Sequence, residues 1–284
     1  MSEERRSVRT GHDDGPPPAN AREAFVGVDG LRLRVRTEGE GPPLLLINGI
    51  GAPLELWRPF VKHLPGRRTI AFDLPGSGTS SRPLWPRSIG ALADTVAGLQ
   101  KQLGLAPVDV LGYSLGGVIA QELAHRSPDG VRRLVLCATT PGWPGVPPHP
   151  LVIALMLTPL RYYSRSLARL IVPRIAGGRT ARDPEVLDEG LQHRLVNPPS
   201  PWGYAQQLLA TCGWGSHAWL DELPQQTLVI HGDADPVAPV ANARRMAARI
   251  PNAEMRVLPG AGHLFLLDDS EIAAGLIQDF LERA

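Results

Sequence analysis

Residues 108–117 read Val-Asp-Val-Leu-Gly-Tyr-Ser-Leu-Gly-Gly, a short apolar run that enters Gly112-Tyr113-Ser114-Leu115-Gly116 and then a helical pattern. The G-x-S-x-G spacing puts a serine on a strand-to-helix turn so sharp that a Cβ at either glycine would strike a neighbouring strand or helix. The hydroxyl stands exposed above a helix N-terminus, whose N–H groups favour negative charge. Such spacing also arises by chance; the flanking strand and helix patterns are what make Ser114 a candidate nucleophile.

A serine hydroxyl is a weak nucleophile at neutral pH and needs a base. Of the eight histidines, only His263 falls in a glycine-flanked loop after the final strand pattern, Pro259-Gly260-Ala261-Gly262-His263. The base in turn needs a carboxylate to hold its tautomer and stabilise the imidazolium. Asp233 and Asp235 both follow the penultimate strand pattern. Asp235 is preferred, because the spacing Gly232-x-x-Asp235-x-x-x-Pro239 is the commoner form of such a loop. An oxyanion needs two fixed donors. One is the N–H of Leu115, directly after the nucleophile. The second is assigned to the N–H of Ile50 in Asn48-Gly49-Ile50-Gly51, whose glycines let the backbone turn inward. Asn48 is a candidate for bracing this loop or for contact with substrate. The chemistry is acyl transfer through a covalent intermediate, which calls for no cofactor and no metal.

These groups must each sit at the end of a strand. Residues 24–28 and 31–37 read as two antiparallel edge strands joined by Asp29-Gly30, with Leu31, Leu33 and Val35 on the buried face. The apolar runs 43–47, 67–72, 107–111 and 131–137 alternate with helical patterns at 54–64, 89–103 and 115–125. Alternation of this kind predicts a parallel sheet with right-handed crossovers, with ligands at the carboxyl ends of the strands. The pattern then breaks into proline- and glycine-rich helical pieces that include Trp143, Trp202, Trp214 and Trp219. Strands resume at 227–231 and 254–258, with helices at 239–250 and 272–281. The expectation is an α/β fold, a mostly parallel eight-stranded sheet flanked by helices. Its core spans residues 23–141 and 222–284, an inserted helical lid spans 142–221, and residues 1–22 form a disordered tail. Ordinary helices packed on the sheet are the alternative to a lid. Trp143 and Trp214 are candidates to line the substrate site.

The chain has 284 residues and a net charge of +1, so no global field argues for a nucleic-acid partner. The N-terminus lacks the apolar segment of a signal peptide, and the longest apolar run, residues 151–160, is too short to span a membrane. A cytoplasmic protein is expected. The two cysteines, Cys137 and Cys212, read as buried free thiols in preference to a disulfide.

With these residues placed, residues 25–281 resemble the α/β-hydrolase superfamily, whose chain order is nucleophile, acid, base. A closer resemblance is to the intracellular medium-chain-length poly(3-hydroxyalkanoate) depolymerases. Near the oxyanion loop it is carried by Asn48-Gly49-Ile50-Gly51-Ala52, Leu54-Glu55-Leu56, Ala71-Phe72-Asp73 and Pro75-Gly76. In the expected lid it is carried by Arg161-Tyr162, Gly177-Gly178, Arg182-Asp183-Pro184-Glu185, Gly213-Trp214 and Trp219-Leu220. Nearer the C-terminus, Arg249-Ile250-Pro251-Asn252-Ala253 and Gly262-His263-Leu264-Phe265-Leu266 complete it. The resemblance implies a serine hydrolase of 3-hydroxyacyl polyesters or oligomers, working on a small-molecule or oligomeric ester and on a polyester granule surface. It carries the catalytic triad onto Ser114, Asp235 and His263. The chain departs from those depolymerases at Leu115, where they tend to have Trp, and Asn48 replaces the His usual in the wider superfamily. Lactonases, C–C bond hydrolases and cofactor-free perhydrolases with the same triad are alternatives, as is a non-catalytic ligand-binding module on this fold.

Overall fold

A computed structural model describes residues 21–283. The expected tail lies outside these residues up to position 20, and Arg22 already opens the first strand. Eight strands form one sheet: β1 (Arg22–Val28), β2 (Leu31–Glu38), β3 (Pro43–Ile47), β4 (Arg68–Phe72), β5 (Val108–Tyr113), β6 (Val131–Cys137), β7 (Gln226–Gly232) and β8 (Ala253–Leu258). Their spatial order is β1-β2-β4-β3-β5-β6-β7-β8, with β2 antiparallel to both its neighbours and every other pair parallel. The chain winds outward from β3 to β4, then crosses back to β5. The crevice between the ends of β3 and β5 is therefore the point where the winding reverses, the place such sheets bind ligands.

The helices are α1 (Arg58–Val61), α2 (Ile89–Gln102), α3 (Leu115–Arg126), α4 (Pro150–Met156), α5 (Arg165–Ala176), α6 (Gly178–Arg182), α7 (Pro184–Arg194), α8 (Pro201–Thr211), α9 (Val240–Arg249), α10 (Phe265–Asp268) and α11 (Ser270–Glu282). Alternation along the strands sorts the core into two layers. Leu45, Ile47, Val110, Leu134 and Leu136 pack with Leu92, Val96 and Leu99 of α2 and Ile119 and Leu123 of α3. Leu44, Leu46, Leu111, Val135 and Ile230 pack on the other side with Phe60 of α1 and Ile277 and Phe280 of α11. The continuous apolar runs of β3 and β5 are buried on both faces for this reason.

Where the sequence pattern runs as one helix over residues 54–64, the structure divides it into a tight 3-10 turn, Leu54–Trp57, and α1. Pro59 has no N–H to bond back to Glu55, so the turn cannot propagate as α-helix. Glu55 is instead buried against Arg34 at 2.8 Å and Asn197 at 3.0 Å. Between β6 and β7 lie α4 to α8, started by side-chain caps from Ser164 (α5), Asp183 (α7) and Ser200 (α8). Both cysteines are free; Cys137 is buried as expected, but Cys212 is exposed, because it follows the C-terminus of α8 at the surface. Among the described residues, no helix is long and apolar enough to cross a membrane.

Candidate active site

Ser114 joins β5 to α3 with φ 55° and ψ −118°. That is the first corner of a type II′ turn, which glycine adopts freely and serine only under strain. The surrounding bonds enforce it. Its N–H donates to the Cys137 carbonyl at 2.9 Å, and its carbonyl accepts from Gly117 N–H at 2.9 Å and from Thr139 Oγ1 at 2.7 Å. The glycines on either side are required by contact: a Cβ on Gly112 would lie 2.4 Å from the Gly116 carbonyl oxygen, and one on Gly116 would lie 1.9 Å from that of Ile47.

The structure brings Ser114, His263 and Asp235 into one hydrogen-bonded line. Ser114 Oγ lies 3.0 Å from His263 Nε2, and His263 Nδ1 lies 2.7 Å from Asp235 Oδ2. The other Asp235 oxygen accepts from the N–H groups of Val237 and Ala238 at 2.8 and 2.9 Å. Asp233 turns elsewhere, accepting from Gly260 N–H at 2.6 Å. The backbone of His263 is held by the α5 end of the inserted helices: its N–H donates to the Ala176 carbonyl at 2.6 Å. Gly262 and Gly178 pack so closely there that a Cβ on either would fall within 2.3 Å of the other segment's backbone.

Facing the serine, the loop after β3 is fixed from three sides. Asn48 Oδ1 accepts from Gly49 N–H at 2.9 Å and its Nδ2 donates to the Pro53 carbonyl at 3.0 Å, so both ends of its amide are spent on the loop. Gly51 N–H donates to Gln207 of α8 at 2.8 Å. The Tyr162 hydroxyl donates to the Ile50 carbonyl at 2.6 Å. Among the described residues, the N–H groups of Ile50 and Leu115 are bound to no protein acceptor.

These groups open onto a cavity of about 620 Å³, its mouth included, lined largely by apolar side chains: Trp57, Met156, Val172, Ile175, Leu264 and Leu266 among them. The chain matches the model of the alpha/beta hydrolase fold over residues 42–270. The chain belongs to the α/β hydrolase fold family. It is 43% identical over 263 residues to a poly(3-hydroxyalkanoate) depolymerase of Ectopseudomonas oleovorans, covering 91% of this chain and 92% of that one. It is 31% identical to a 2-hydroxymuconate semialdehyde hydrolase of Pseudomonas putida, over 90% and 92% of the two chains. A crystal structure of a hydrolase from Pseudomonas aeruginosa PA01 superposes with a TM-score of 0.79 at 26% identity, over 92% of this chain and 98% of that one.

Two expected site residues of this α/β hydrolase lie elsewhere. Neither Trp143 nor Trp214 lines the cavity. They sit at the two feet of the inserted helices, where Trp143 N–H donates to the Trp214 carbonyl at 2.9 Å. Trp143 is 78% exposed, and the Trp214 indole N–H donates to Glu122 of α3 at 2.9 Å. These two tryptophans therefore fasten the segment between β6 and β7 to the sheet, whereas Tyr162 is an aromatic side chain of that segment that lines the cavity. The segment's cavity wall combines Met156, Arg161, Tyr162 and Arg194 with the apolar stripe of α5, a three- to four-residue spacing that is shared by any helix that packs.

His231, at the end of β7, is fully buried; its Nε2 lies 2.6 Å from the Ala238 carbonyl and 3.5 Å from Asp235 Oδ2, and its Nδ1 has no partner. Burial, above all, holds its pKa below the ordinary 6.5, against the pull of Asp235. The unfolded chain therefore takes up a proton at pH near 6.5 that the folded chain refuses. His231 contributes stability that is present above pH 6.5 and lost as the pH falls through it. The expected outcome is that His231→Gln flattens the fall of Tm measured by calorimetry from pH 8 to pH 5. Asp73, pushed up to about 6 by burial despite bonds from Leu54 and Thr79 N–H groups, works in the opposite direction between pH 4 and 6.

Proposed function

We propose that this hydrolase cleaves carboxylic esters through an acyl-enzyme, with Ser114 as nucleophile, His263 as base and Asp235 as the acid that orients it. The observation that carries this reading is the Ser114–His263–Asp235 line, at 3.0 and 2.7 Å, beside two unengaged N–H groups. His263 takes the Ser114 proton as Oγ attacks the ester carbonyl, and the N–H groups of Leu115 and Ile50 receive the oxyanion. His263 then protonates the leaving alcohol, activates a water and returns its proton to Ser114 as the acid leaves. The substrate class is a medium-chain 3-hydroxyacyl ester. The apolar cavity supports it, as does the 43% identity to a protein named as a poly(3-hydroxyalkanoate) depolymerase.

In this reading residues 142–221 form a lid over a core of residues 23–141 and 222–284. The exposed Leu84, Trp85, Leu151, Leu157 and Leu170 suit contact with a polyester granule, and the protein works in the cytoplasm. A serine-reactive fluorophosphonate should label Ser114, and mass spectrometry of products from a polyhydroxyoctanoate suspension should find 3-hydroxyoctanoate or its oligomers. Absence of label on Ser114 would overturn the mechanism. Release from simple esters but not from the suspension would restrict the substrate to soluble esters.

Removing the Tyr162 hydroxyl frees the Ile50 carbonyl and loosens the proposed second oxyanion donor. Tyr162→Phe is expected to lower kcat on p-nitrophenyl octanoate about tenfold with little change in KM, since the donor matters more to the developing oxyanion than to the ground state. Steady-state kinetics checks the split.

A further inference from the structure

Two arginines, Arg161 and Arg194, line the cavity that holds Ser114, and among the described residues neither is paired with a carboxylate. Arg161 is 1% exposed. Its Nη1 donates to the Thr158 carbonyl at 2.9 Å and its Nη2 to the Tyr204 hydroxyl at 2.8 Å, while Nε is buried without an acceptor. Arg194, the last residue of α7, is 6% exposed, and among the described residues its side chain makes no hydrogen bond or ion pair. Both guanidiniums rest on the Tyr162 ring, at 4.9 and 5.2 Å from its centroid.

Three other arginines in the interior are met by carboxylates, Arg34 by Glu55 at 2.8 Å, Arg36 by Glu38 at 3.5 Å and Arg67 by Asp109 at 3.1 Å, and Arg133 by the carbonyls of Leu281 and Arg283. Burying a charge without a partner is costly, so two unanswered cations in one apolar cavity mark a place for an anion from outside. A guanidinium presents a planar fork of donors that matches a carboxylate, and the apolar walls suit the alkyl chain such an acid carries.

We propose that Arg161 and Arg194 form a carboxylate subsite, so that the preferred substrates are esters carrying a free carboxylate elsewhere in the same molecule. For a 3-hydroxyacyl oligomer, that carboxylate is its own carboxyl end. The proposal rests on the ester-hydrolase reading and narrows it. Tyr162 links the two parts: its ring carries both guanidiniums, and its hydroxyl holds the Ile50 loop at 2.6 Å. A carboxylate seated on the arginines is thereby held in a fixed relation to the oxyanion loop, and cleavage falls near the carboxyl end of the chain.

The test compares kcat/KM of the 284-residue chain on the 3-hydroxyoctanoate dimer as its free acid and as its methyl ester. Wild type is expected to prefer the free acid by roughly tenfold or more, the scale of one charge-assisted contact. Arg194→Met should bring the ratio close to one, and Arg194→Lys should restore part of it. Arg194 is the deciding position, since Arg161→Met also removes bonds within the insertion and can unfold it. Equal rates on acid and methyl ester, or an unchanged ratio in Arg194→Met, would overturn the subsite and leave the hydrolase reading intact.

Calorimetric titration of sodium octanoate into Ser114→Ala separates the two readings from the other side. Binding that weakens in Ser114→Ala/Arg194→Met supports the subsite even if no ester is cleaved. Binding indifferent to Arg194, or displaced equally well by inorganic phosphate, overturns it.

Discussion

Replacing Ser114 with alanine is expected to lower kcat on p-nitrophenyl octanoate by a factor on the order of 10⁴ to 10⁶, the range for loss of a triad nucleophile. The hydroxyl is the atom that must form the acyl bond, and its hydrogen bond goes to His263 Nε2 at 3.0 Å. What survives is water attack helped by the oxyanion donors. The backbone bonds that hold position 114 in its strained turn involve its N–H and carbonyl, which alanine keeps. The variant should therefore fold with an unchanged circular dichroism spectrum and a melting temperature close to wild type. Residues that act as one unit do not lose activity additively. The double variant Ser114→Ala/His263→Ala should be no slower than Ser114→Ala alone, and a further large loss would show that His263 serves some step apart from the serine.

The largest expected loss of stability belongs to Gly116→Ala. The new methyl would stand 1.9 Å from the Ile47 carbonyl oxygen and 2.4 Å from its carbon. Neither side can yield cheaply: Ile47 pairs with Gly112 in the centre of the sheet, and Gly116 lies in the buried first turn of α3. Relief requires β3 or α3 to shift, with loss of packing in both core layers. A destabilisation of roughly 4 kcal/mol or more is expected, at the far end of the range for point changes. Gly275→Ala in α11 is the matched comparison, because nothing lies within 4 Å of a Cβ there. It should stabilise the protein by about 0.5–1 kcal/mol, as glycine-to-alanine changes in helix interiors do. Urea denaturation of both variants measures the contrast, and a Gly116→Ala protein as stable as wild type would refute the contact argument.

The sheet was legible in the sequence because its inner strands are short apolar runs punctuated by Gly and Pro and β2 alternates between apolar and charged residues, and all eight segments fall where strands stand. Residues 131–137 match β6 to the residue. The line through Ser114, Asp235 and His263 was legible for a related reason: each residue lies in the loop at the C-terminal end of a strand, so fixing the sheet brings the three loops to one edge. The choice of Asp235 over Asp233 rested on loop spacing, and in the structure it is Asp235 that reaches His263. The cavity wall was not legible. Tryptophans drew attention to the feet of the insertion, whereas Val172 and Ile175 carry the same spacing as any packed helix. Nor could spacing reveal that Arg161 and Arg194, 33 positions apart, lie against the same tyrosine ring. The α10 turn immediately after His263 was also hidden, since four residues are too few to show a period.

The seating of His263 on the end of α5 bears on how this molecule can be altered. Its N–H bonds to Ala176, and Gly262 and Gly178 touch backbone to backbone. The insertion is thus not an interchangeable cap set on a finished catalytic scaffold. Part of the scaffold's own geometry is borrowed from it. A chimera that imports a foreign segment between β6 and β7 would also have to import the loop that follows β8, and a deletion that shortens α5 would be felt at the imidazole before it was felt by any substrate. The placement of α5 and the geometry of position 263 are set together.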